Sequence, residues 1–291
     1  MKSALGLPAP AKLNVFLHVT GRLPDGRHAL ESVFTLIDWS DEIDLWDLSG
    51  TAPGRVERTG DLLCDAEKDL AVRAARLLMA ERKPRGGVRI RVKKRIPAGA
   101  GMGGGSSDAA TVLMGLNRLW NLGLTRGELM KLGERLGADV PFFIFGRTAF
   151  AEGFGEKLRP FDLPASRYLV AWPAAHVPTG EIFAAPNLTR DTPSHTIAFF
   201  SDLVRKTWPA LPGRNDLEPV AEAFSEAVRH AKTMFASAGL DPRMTGSGSA
   251  VFAVLPERSD VDALAASFPG DWAVRGVSGM AKHPLSDWLT D

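Results

Sequence analysis

The glycine-rich segment at residues 97–107, with the sequence PAGAGMGGGSS, limits what this chain can fold into more than any other part of it. Five of the seven residues from Gly99 to Gly105 are glycine. Apolar and charged residues alternate over residues 88–93, which predicts a half-exposed strand before the segment. An apolar stripe over residues 109–120 predicts a helix after it. The sequence therefore predicts a strand, a tight glycine loop and a helix in direct succession.

A glycine loop at the start of a helix is suited to binding an anion. Glycine permits positive φ angles and lets backbone N–H groups approach a ligand without interference from a Cβ atom. The first turn of a helix adds unpaired N–H donors and the positive end of the helix dipole. We therefore expect the loop to bind the phosphates of a nucleotide. The alternative is a flexible Gly-Ser turn in which Ser106 or Ser107 only caps the helix.

Several well-known phosphate sites do not fit the segment. A Walker A loop ends in Gly-Lys-Ser/Thr, and no lysine lies between Pro97 and Ser107. Gly99, Gly101 and Gly104 match the pattern G-x-G-x-x-G. A dinucleotide-binding fold, however, needs a buried, continuously apolar strand before the loop, and the strand predicted here alternates with arginine and lysine. The H-R-D and D-F-G motifs of protein kinases are absent. If the loop binds a nucleotide, it therefore does so as another class of site.

Length, charge and cysteine content exclude further classes of protein. The chain has 291 residues, 45% of them hydrophobic and 24% charged, as in ordinary globular proteins. Its formal net charge of +1 argues against binding to nucleic acid. No apolar run approaches the roughly 18 residues of a membrane-spanning helix, and Pro8, Pro10 and Lys12 interrupt any signal-peptide core. The single cysteine, Cys64, excludes an internal disulfide and is typical of a cytoplasmic protein.

Strand and helix patterns are mixed along the chain. Most strands have a period of two, which favours largely antiparallel sheets and an α+β fold. Thr125 and Glu128 have the spacing of a capping box. A change of composition at residues 158–164 indicates a domain boundary. The predicted strands are residues 12–19, 30–37, 43–48, 88–93, 149–154, 168–172 and 272–277, and residues 244–249 and 251–255 are predicted to form a strand, a glycine turn and a strand. The predicted helices are residues 69–82, 109–120, 125–137, 197–206, 217–238 and 261–268.

Other motifs occur in a fixed order on both sides of the glycine loop. They are Pro10-Ala11-Lys12-Leu13-Asn14, Asp25-Gly26-x-His28, Gly137-Ala138-Asp139-Val140-Pro141-Phe142-Phe143, Asn215-Asp216-Leu217-Glu218 and Gly246-Ser247-Gly248-Ser249-Ala250. Together with the loop, this set resembles the GHMP kinases, a family that includes galactokinase, homoserine kinase and mevalonate kinase. The resemblance extends over almost the full chain.

The resemblance implies a two-domain fold with the active site in the cleft between the domains. Residues 1–158 are expected to form an ATP-binding domain with a mixed or antiparallel sheet and helices, like the second domain of ribosomal protein S5. Residues 159–291 are expected to form a ferredoxin-like α/β sandwich.

The implied activity is ATP-dependent phosphorylation of a small molecule. Within the family, the motifs are most similar to those of the enzymes that phosphorylate the 2-hydroxyl group of cytidylylated methylerythritol in the non-mevalonate route to isoprenoid precursors. A GHMP kinase of the homoserine or mevalonate type is one alternative. A GHMP-like binding module without catalytic activity is another.

By the same resemblance, Asp139 is the base that accepts the proton of the substrate hydroxyl, and Lys12 lies beside it. A neighbouring cation keeps the aspartate ionised and offsets charge on the attacking oxygen. Local sequence alone leaves two other readings open. Asp139 precedes Val140-Pro141 and is also suited to capping a helix, and Lys12 also fits a solvated strand position.

The residues implied to bind ATP lie mostly in the loop. Lys94 is implied to line the nucleotide pocket, although it also fits a basic strand face. Asp69 and Leu70 stand where the family usually has asparagine and leucine beside the purine. Aspartate has no amide donor, so one contact to adenine must change or be lost. The loop residues are Pro97, Ala98, Gly99, Ala100, Gly101, Met102, Gly103, Gly104, Gly105, Ser106 and Ser107.

The resemblance also implies a substrate site. His28 matches a histidine that hydrogen-bonds the cytosine edge, Asn14 a residue near the erythritol phosphate, and Phe183 an aromatic ring that stacks on the base. This chain has Arg27 where the family usually has a second stacking ring, a tyrosine. A guanidinium can stack on a base in its place, or Arg27 is only a surface residue of a turn. The remaining residues expected at this site are Thr179, Gly246 and Ser247.

ATP chemistry implies Mg²⁺, because the ion neutralises phosphate oxygens. No Asp-x-Asp motif or histidine cluster identifies a protein ligand, and the six histidines are scattered. A loop hydroxyl such as that of Ser107 is left open, and no metal-binding residue is assigned. The expected partner is a small-molecule substrate, with neither nucleic acid nor a membrane. The expected state is a monomer or a weak homodimer.

Overall fold

The structure, a computed structural model, describes residues 2–48, 54–84 and 86–291. Strands and helices are mixed along the chain, which confirms the predicted α+β class. The strands are β1 (Ser3–Arg22), β2 (His28–Asp47), β3 (Val56–Gly60), β4 (Val88–Lys93), β5 (Ala149–Glu152), β6 (Lys157–Pro160), β7 (Arg167–Trp172), β8 (Arg243–Met244), β9 (Val251–Val254) and β10 (Ala273–Met280). The helices are α1 (Leu70–Arg82), α2 (Gly104–Leu119), α3 (Arg126–Glu134), α4 (Val140–Phe145), α5 (Thr179–Ala184), α6 (Ile197–Thr207), α7 (Glu218–Phe224), α8 (Glu226–Ser237) and α9 (Val261–Ala266), with a 3₁₀ turn at Ser286–Trp288.

The strands of the described residues join in one sheet. Its main path has the order β3-β4-β2-β10-β7-β9-β8, while β1 and β5 pair with β2, and β6 pairs with β5. β3 and β4 are parallel, and the other paired strands are antiparallel. Gly279 and Met280 of β10 pair with Ile37 and Leu36 of β2. This pairing joins the second half of the chain to the first.

β1 and β2 form a long antiparallel pair that carries several of the motif residues. A register shift between Pro10 and Ala11 interrupts the pairing, and irregularities of this kind bend a strand without ending it. Ala9 pairs with Asp41, so the polar residues in the middle of β2 remain in the strand. The prediction of a separate strand at residues 43–48 is therefore wrong, because β2 continues through that segment.

Helices α1 to α4 pack with β1, β2 and β4. The apolar core they share includes Leu45, Leu113 and Phe142, all fully buried. Thr125 and Glu128 form the predicted capping box at the start of α3. This core fixes the beginnings of α2 and α4 relative to β1.

A second apolar core lies beneath β7, β8 and β9 and also includes Leu17 and Val19 of β1. This core includes Leu169, Ile182 and Phe235. The single helix predicted at residues 217–238 is wrong, because the segment forms two helices, α7 and α8. Ser225 separates them with an extended backbone (φ −137°), and its hydroxyl accepts a hydrogen bond from the first turn of α8.

Short elements account for what the sequence patterns missed. β3 and β6 have few apolar residues, and α5 lies inside a proline-containing stretch. None of the helices in the described ranges is both long enough and apolar enough to cross a membrane.

The residues after β10 return to the first half of the chain. The backbone N–H of His283 donates to the carbonyl of Gly146 at 2.7 Å, and that of Arg126 donates to the carbonyl of Thr290 at 2.8 Å. The expected boundary at residues 158–164 falls at β6 and the connection that follows it.

Candidate functional site

Two cavities lie on either side of the glycine loop. The larger has a volume of about 710 Å³ and the smaller about 390 Å³. Gly99, Gly101, Gly103 and Ser106 line both of them. The loop is therefore the shared wall, and a group held by its backbone borders both cavities.

The loop adopts the backbone conformation that its glycines allow. Gly99, Gly101 and Gly103 have φ angles of 68°, 75° and 72°, in the left-handed region that favours glycine. Gly103 is the N-cap residue of α2, and no side chain caps the helix. The alternative in which Ser106 or Ser107 is the cap is wrong, since both lie inside the helix. The N–H groups of the first turn therefore remain available to an anion.

The loop is in contact with the glycine turn, which we define as residues 245–250. The N–H of Ala250 donates to the carbonyl of Ala100 at 3.2 Å. A Cβ atom on Gly101 would lie 2.2 Å from the carbonyl oxygen of Thr245. Only glycine fits at position 101, and two motifs distant in the sequence form one surface.

The motif around Asn215 holds the glycine turn and β1 in place. The Nδ2 atom of Asn215 donates to the carbonyls of Met244 and Gly246, both at 2.8 Å. Oδ2 of Asp216 accepts a hydrogen bond from the N–H of Val19 at 2.8 Å. These polar groups form hydrogen bonds within the protein, so the motif supports the walls of the site and does not itself offer these groups to a ligand.

Lys12 and Asp139 meet at the wall of the larger cavity. Nζ of Lys12 lies 3.7 Å from Oδ2 of Asp139, and the two side chains are 5% and 33% exposed. Asp139 occupies the N-cap position of α4, but its side chain makes no capping hydrogen bond. The carboxylate is therefore available to a ligand. A carboxylate engaged in capping the helix would not be.

Neighbouring groups fix the position of the Lys12 ammonium. Nζ donates to Oδ1 of Asn14 at 2.5 Å, and Nδ2 of Asn14 donates to the hydroxyl of Ser32 at 2.9 Å. Burial lowers the pKa of Lys12, while the charge of Asp139 and a hydrogen bond to it oppose the shift. The side chain is buried, so the alternative of a solvated strand lysine is wrong.

A buried charge cluster lies beside the smaller cavity. Nζ of Lys94 forms ion pairs with Oδ2 of Asp108, at 2.7 Å, and with Asp41. Burial raises the pKa of Asp108 to about 7, because desolvation and the charge of Asp41 outweigh the effect of Lys94. Lys94 and Asp108 both line the cavity. Lys94 is therefore an ion-paired residue at the wall of the smaller cavity.

Asp69 and Leu70 also line the smaller cavity, at the start of α1. Oδ1 of Asp69 accepts a hydrogen bond from the N–H of Ala71 at 2.8 Å and caps the helix. Its Oδ2 atom accepts one from Nε of Arg58, also at 2.8 Å. The carboxylate is therefore engaged within the protein, and Arg58 adds a cation to the cavity wall.

Planar side chains line another part of the larger cavity. The guanidinium of Arg27 lies 3.6 Å from the ring centroid of Phe154 and forms an ion pair with Asp25 at 2.6 Å. The rings of His28 and Phe183 have centroids 5.0 Å apart and an interplanar angle of 33°. Aromatic rings and guanidinium planes are the surfaces on which bases stack.

Arg190 connects His28 to Phe183. Its Nε donates to Nε2 of His28 at 3.2 Å, and its Nη2 donates to the carbonyls of Phe183 at 2.9 Å and Ala185 at 2.8 Å. Burial and then the positive charges of Arg190 and Arg22 lower the pKa of His28. The imidazole is thus held in place, and its charged form is disfavoured.

α5 and the glycine turn meet at the same cavity. The hydroxyl oxygens of Thr179 and Ser247 are 2.7 Å apart, and both residues line the larger cavity together with Gly246. These hydroxyl groups can exchange their mutual hydrogen bond for one to a ligand.

The structure brings the predicted residues together in two groups. The larger cavity is lined by Lys12, Asn14, Arg27, His28, Gly99, Gly101, Gly103, Ser106, Asp139, Thr179, Phe183, Gly246 and Ser247. The smaller cavity is lined by Asp69, Leu70, Lys94, Pro97, Ala98, Gly99, Ala100, Gly101, Met102, Gly103, Gly104, Gly105 and Ser106. Ser107 is fully buried within α2.

Sequence reasoning missed several residues that shape these cavities, among them Asp108, which lines the smaller one. Arg58, Glu134, Phe154 and His176 line the cavities, and Arg190 lies behind the larger one. Phe154 stands between two glycines, a signal that could have been used. The others lie outside the recognised motifs.

Oxygen donors for a magnesium ion lie beside the loop. Among the described residues, no group of three or more His, Cys, Asp or Glu side chains could hold a metal. In the same part of the chain, Oγ of Ser107 and Oδ1 of Asp108 are buried without hydrogen-bond partners. Mg²⁺ prefers oxygen ligands and is often bound by one or two protein groups together with phosphates. The two residues therefore fit an ion held mainly by a nucleotide.

Comparison with known proteins identifies relatives of both halves of the chain. Residues 69–147 match the family described as GHMP kinases N terminal domain, and residues 198–273 match GHMP kinases C terminal. A 4-diphosphocytidyl-2-C-methyl-D-erythritol kinase from Ralstonia pickettii is 49% identical over 280 residues, which cover 96% of this chain and 95% of the relative. An enzyme of the same name from Variovorax paradoxus is 47% identical over 300 residues and covers 100% of both chains.

Solved structures give the same result. A crystal structure of 4-(cytidine 5'-diphospho)-2C-methyl-D-erythritol kinase matches with a TM-score of 0.78 and 34% identity, over 96% of this chain and 99% of that chain. A homoserine kinase from Cytophaga hutchinsonii matches with a TM-score of 0.69 and 17% identity, over 97% and 96%. The second match shows a shared fold.

Proposed function

The chain belongs to the GHMP kinase family, among the 4-diphosphocytidyl-2-C-methyl-D-erythritol kinases, and on that basis we propose which of its residues carry out the reaction. The protein is an ATP-dependent kinase of the non-mevalonate route to isoprenoid precursors. It phosphorylates the 2-hydroxyl group of 4-diphosphocytidyl-2-C-methyl-D-erythritol and gives the 2-phosphate and ADP. We call this alcohol the cytidylyl substrate.

ATP is proposed to lie in the smaller cavity, with its phosphates against the glycine loop. The purine end is assigned to the side lined by Asp69, Leu70 and Arg58. Because Asp69 is engaged by α1 and Arg58, the guanidinium takes over the polar contact to adenine that an amide would make. The phosphate end then reaches the part of the loop that also borders the larger cavity.

Lys12 and Asp139 are proposed to act on the substrate hydroxyl. Asp139 accepts its proton as the oxygen attacks the γ-phosphorus of ATP, and the ADP oxygen leaves on the opposite side. Lys12 lies beside the carboxylate and offsets negative charge on the attacking oxygen. The observation that carries this assignment is the 3.7 Å separation of Nζ and Oδ2 at a cavity that the loop also borders.

Asn14 is proposed to orient the Lys12 ammonium through its Oδ1 atom, in addition to bordering the substrate. Ser107 and Asp108 are the residues that would hold magnesium. When bound, the ion neutralises negative charge on the β- and γ-phosphates.

The cytidine end of the substrate is proposed to occupy the planar surfaces of the larger cavity. Arg27 and Phe183 offer faces for stacking, and His28 offers a ring nitrogen to the base edge. Homoserine and mevalonate contain no planar base, so these side chains favour a nucleoside-containing alcohol over either of them. Thr179 and Ser247 are proposed to contact the diphosphate or erythritol portion.

We propose an ATP-binding domain at residues 1–158 and a second domain at residues 159–291, with the reaction in the cleft between them. We also propose a cytoplasmic protein that acts as a monomer or weak homodimer without nucleic acid or membrane partners. The single cysteine and the formal net charge of +1 support the cellular location and the absence of a nucleic-acid partner.

Incubation of the pure protein with ATP, Mg²⁺ and one alcohol at a time tests the function. The cytidylyl substrate should be phosphorylated, with one ADP formed for each product molecule, while homoserine and mevalonate should not react. A preference for homoserine or mevalonate would contradict the substrate assignment. Absence of ADP with every alcohol would support the non-catalytic alternative.

A further inference from the structure

We propose that Arg190 is a positioning residue that fixes the tautomer of His28 and thereby makes the site prefer cytosine to uracil. The inference rests on the proposed function, because it assumes that the base lies beside His28. Arg190 lies outside the sequence motifs and contacts the imidazole ring of His28 without lining the cavity itself.

The contacts of Arg190 leave its side chain little freedom. Besides His28, the guanidinium donates to the carbonyls of Phe183 and Ala185 through Nη2 and to that of Leu188 through Nη1, at 2.9, 2.8 and 3.1 Å. The planar group is thus anchored to the backbone at the end of α5 and in the turn that follows. Its Nε–H is directed at Nε2 of His28 at 3.2 Å.

This hydrogen bond determines which nitrogen of His28 carries the proton. Arginine has only donors, so Nε2 must accept and cannot carry a hydrogen. A neutral imidazole with a bare Nε2 carries its proton on Nδ1. Two cations, Arg190 and Arg22, oppose a second proton on the ring. His28 therefore offers a fixed Nδ1–H donor to a ligand in the cavity that it lines.

A fixed donor distinguishes the two pyrimidines by their hydrogen-bonding edges. N3 of cytosine is an acceptor and matches the Nδ1–H of His28, whereas O2 is an acceptor in both bases and does not distinguish them. N3 of uracil carries a hydrogen, so a uracil in the same position would place two donors against each other. A site that hydrogen-bonds a specific group discriminates strongly against an analogue that leaves its polar atoms unpaired.

A purely structural role for Arg190 predicts a different outcome. If Arg190 only braced the end of α5, its loss would weaken the binding of both pyrimidines equally and would leave the His28 tautomer unchanged. The tautomer and the ratio of affinities are therefore the two readouts that separate these roles.

The tautomer is measured on the unmodified protein first. Long-range ¹H–¹⁵N correlation NMR at pH 8 distinguishes protonated from bare ring nitrogens, and the spectrum of a His28→Gln variant identifies the His28 signals among the six histidines. The proposal predicts a protonated Nδ1 and a bare Nε2 for His28. A protonated Nε2 overturns it. This measurement needs no Arg190 variant to fold.

Calorimetric titration with CDP and UDP tests the consequence. The unmodified protein should bind CDP at least about tenfold more tightly than UDP. In Arg190→Met the His28 proton should shift toward Nε2, and the ratio should fall to about threefold or less. The matched control is Arg205→Met, since Arg205 lies on α6 and pairs with Asp202. It should retain the original ratio.

Two other outcomes would contradict the inference in distinguishable ways. An unchanged CDP to UDP ratio in Arg190→Met, with both affinities reduced, overturns the role of Arg190 and leaves the cytidine site intact. Failure of the unmodified protein to bind CDP overturns the proposed cytidine site, and the inference with it.

Discussion

Nζ of Lys12 lies 3.7 Å from Oδ2 of Asp139, although one residue belongs to β1 and the other precedes α4. Lys12 is buried and held by Asn14, whereas a third of the Asp139 side chain is exposed at the cavity. The fixed cation and the accessible carboxylate are suited to complementary roles. The ammonium stabilises charge, and the carboxylate receives the proton.

Replacement of Lys12 by methionine removes the cation and leaves a chain of similar length. We expect kcat to fall by about a hundredfold or more, because an electrostatic contact at the reacting oxygen is lost. Lys93→Met, on an exposed position of β4, should leave kcat unchanged. In the double variant with Asp139→Asn, kcat should be little lower than in the slower of the two single variants, because the two groups act together. A fall in kcat equal to the product of the two single-variant falls would contradict this coupling.

Gly101→Ala should damage both stability and activity. Its φ of 75° and the 2.2 Å approach of a Cβ atom to the carbonyl of Thr245 leave no room for a methyl group. We expect a loss of about 1–3 kcal/mol in the free energy of unfolding, measured by urea denaturation. Gly127→Ala in α3 is the control, since nothing lies within 4 Å of its Cβ position. That variant should be as stable as the parent or more so.

Arg27→Ala should weaken binding of the cytidylyl substrate and spare ATP. The guanidinium lies on Phe154 at the larger cavity, and Arg27 is not among the residues that line the nucleotide cavity. Loss of its stacking face should raise KM for the cytidylyl substrate about threefold, with KM for ATP unchanged in steady-state assays. An unchanged KM for the cytidylyl substrate would identify Arg27 as a surface residue.

Asp108→Asn should change how stability depends on pH. Burial raises the pKa of this carboxyl to about 7, so the folded protein holds a proton that the unfolded chain releases near the ordinary carboxyl pKa. Asp108 therefore reduces stability progressively as pH rises from about 4 to 7. Asparagine does not titrate, so Tm of the variant relative to the parent should be higher at pH 8.5 than at pH 5. A constant difference in Tm would contradict the raised pKa.

Site residues could be predicted from the sequence where the local backbone conformation requires a particular residue type. The glycines of the loop and the capping box of α3 follow from φ angles and helix ends, which are local properties. The contact between Lys12 and Asp139 was predicted only from the resemblance to a family, because the sequence around either residue does not indicate that the other lies beside it. Long-range contacts of this kind depend on how the sheet and helices pack.

The parts that were missed depend on tertiary contacts. β2 continues through polar residues because β1 pairs with them, and Ser225 divides a pattern that looks like one helix. Arg58 and Arg190 are ordinary arginines in sequence, and only the fold brings them to Asp69 and His28. Asp69 itself was expected beside adenine; in the fold it caps α1 at the wall of the smaller cavity.

The most direct test of the account is single-turnover transfer of the γ-phosphoryl group from ATP to the cytidylyl substrate, both bound at saturation, in the parent and in Asp139→Asn. We predict that the variant binds ATP normally and transfers phosphate at least about a hundredfold more slowly, while Asp202→Asn on α6 transfers at the parent rate. Equal rates in the parent and Asp139→Asn would contradict the assignment of Asp139 as the base.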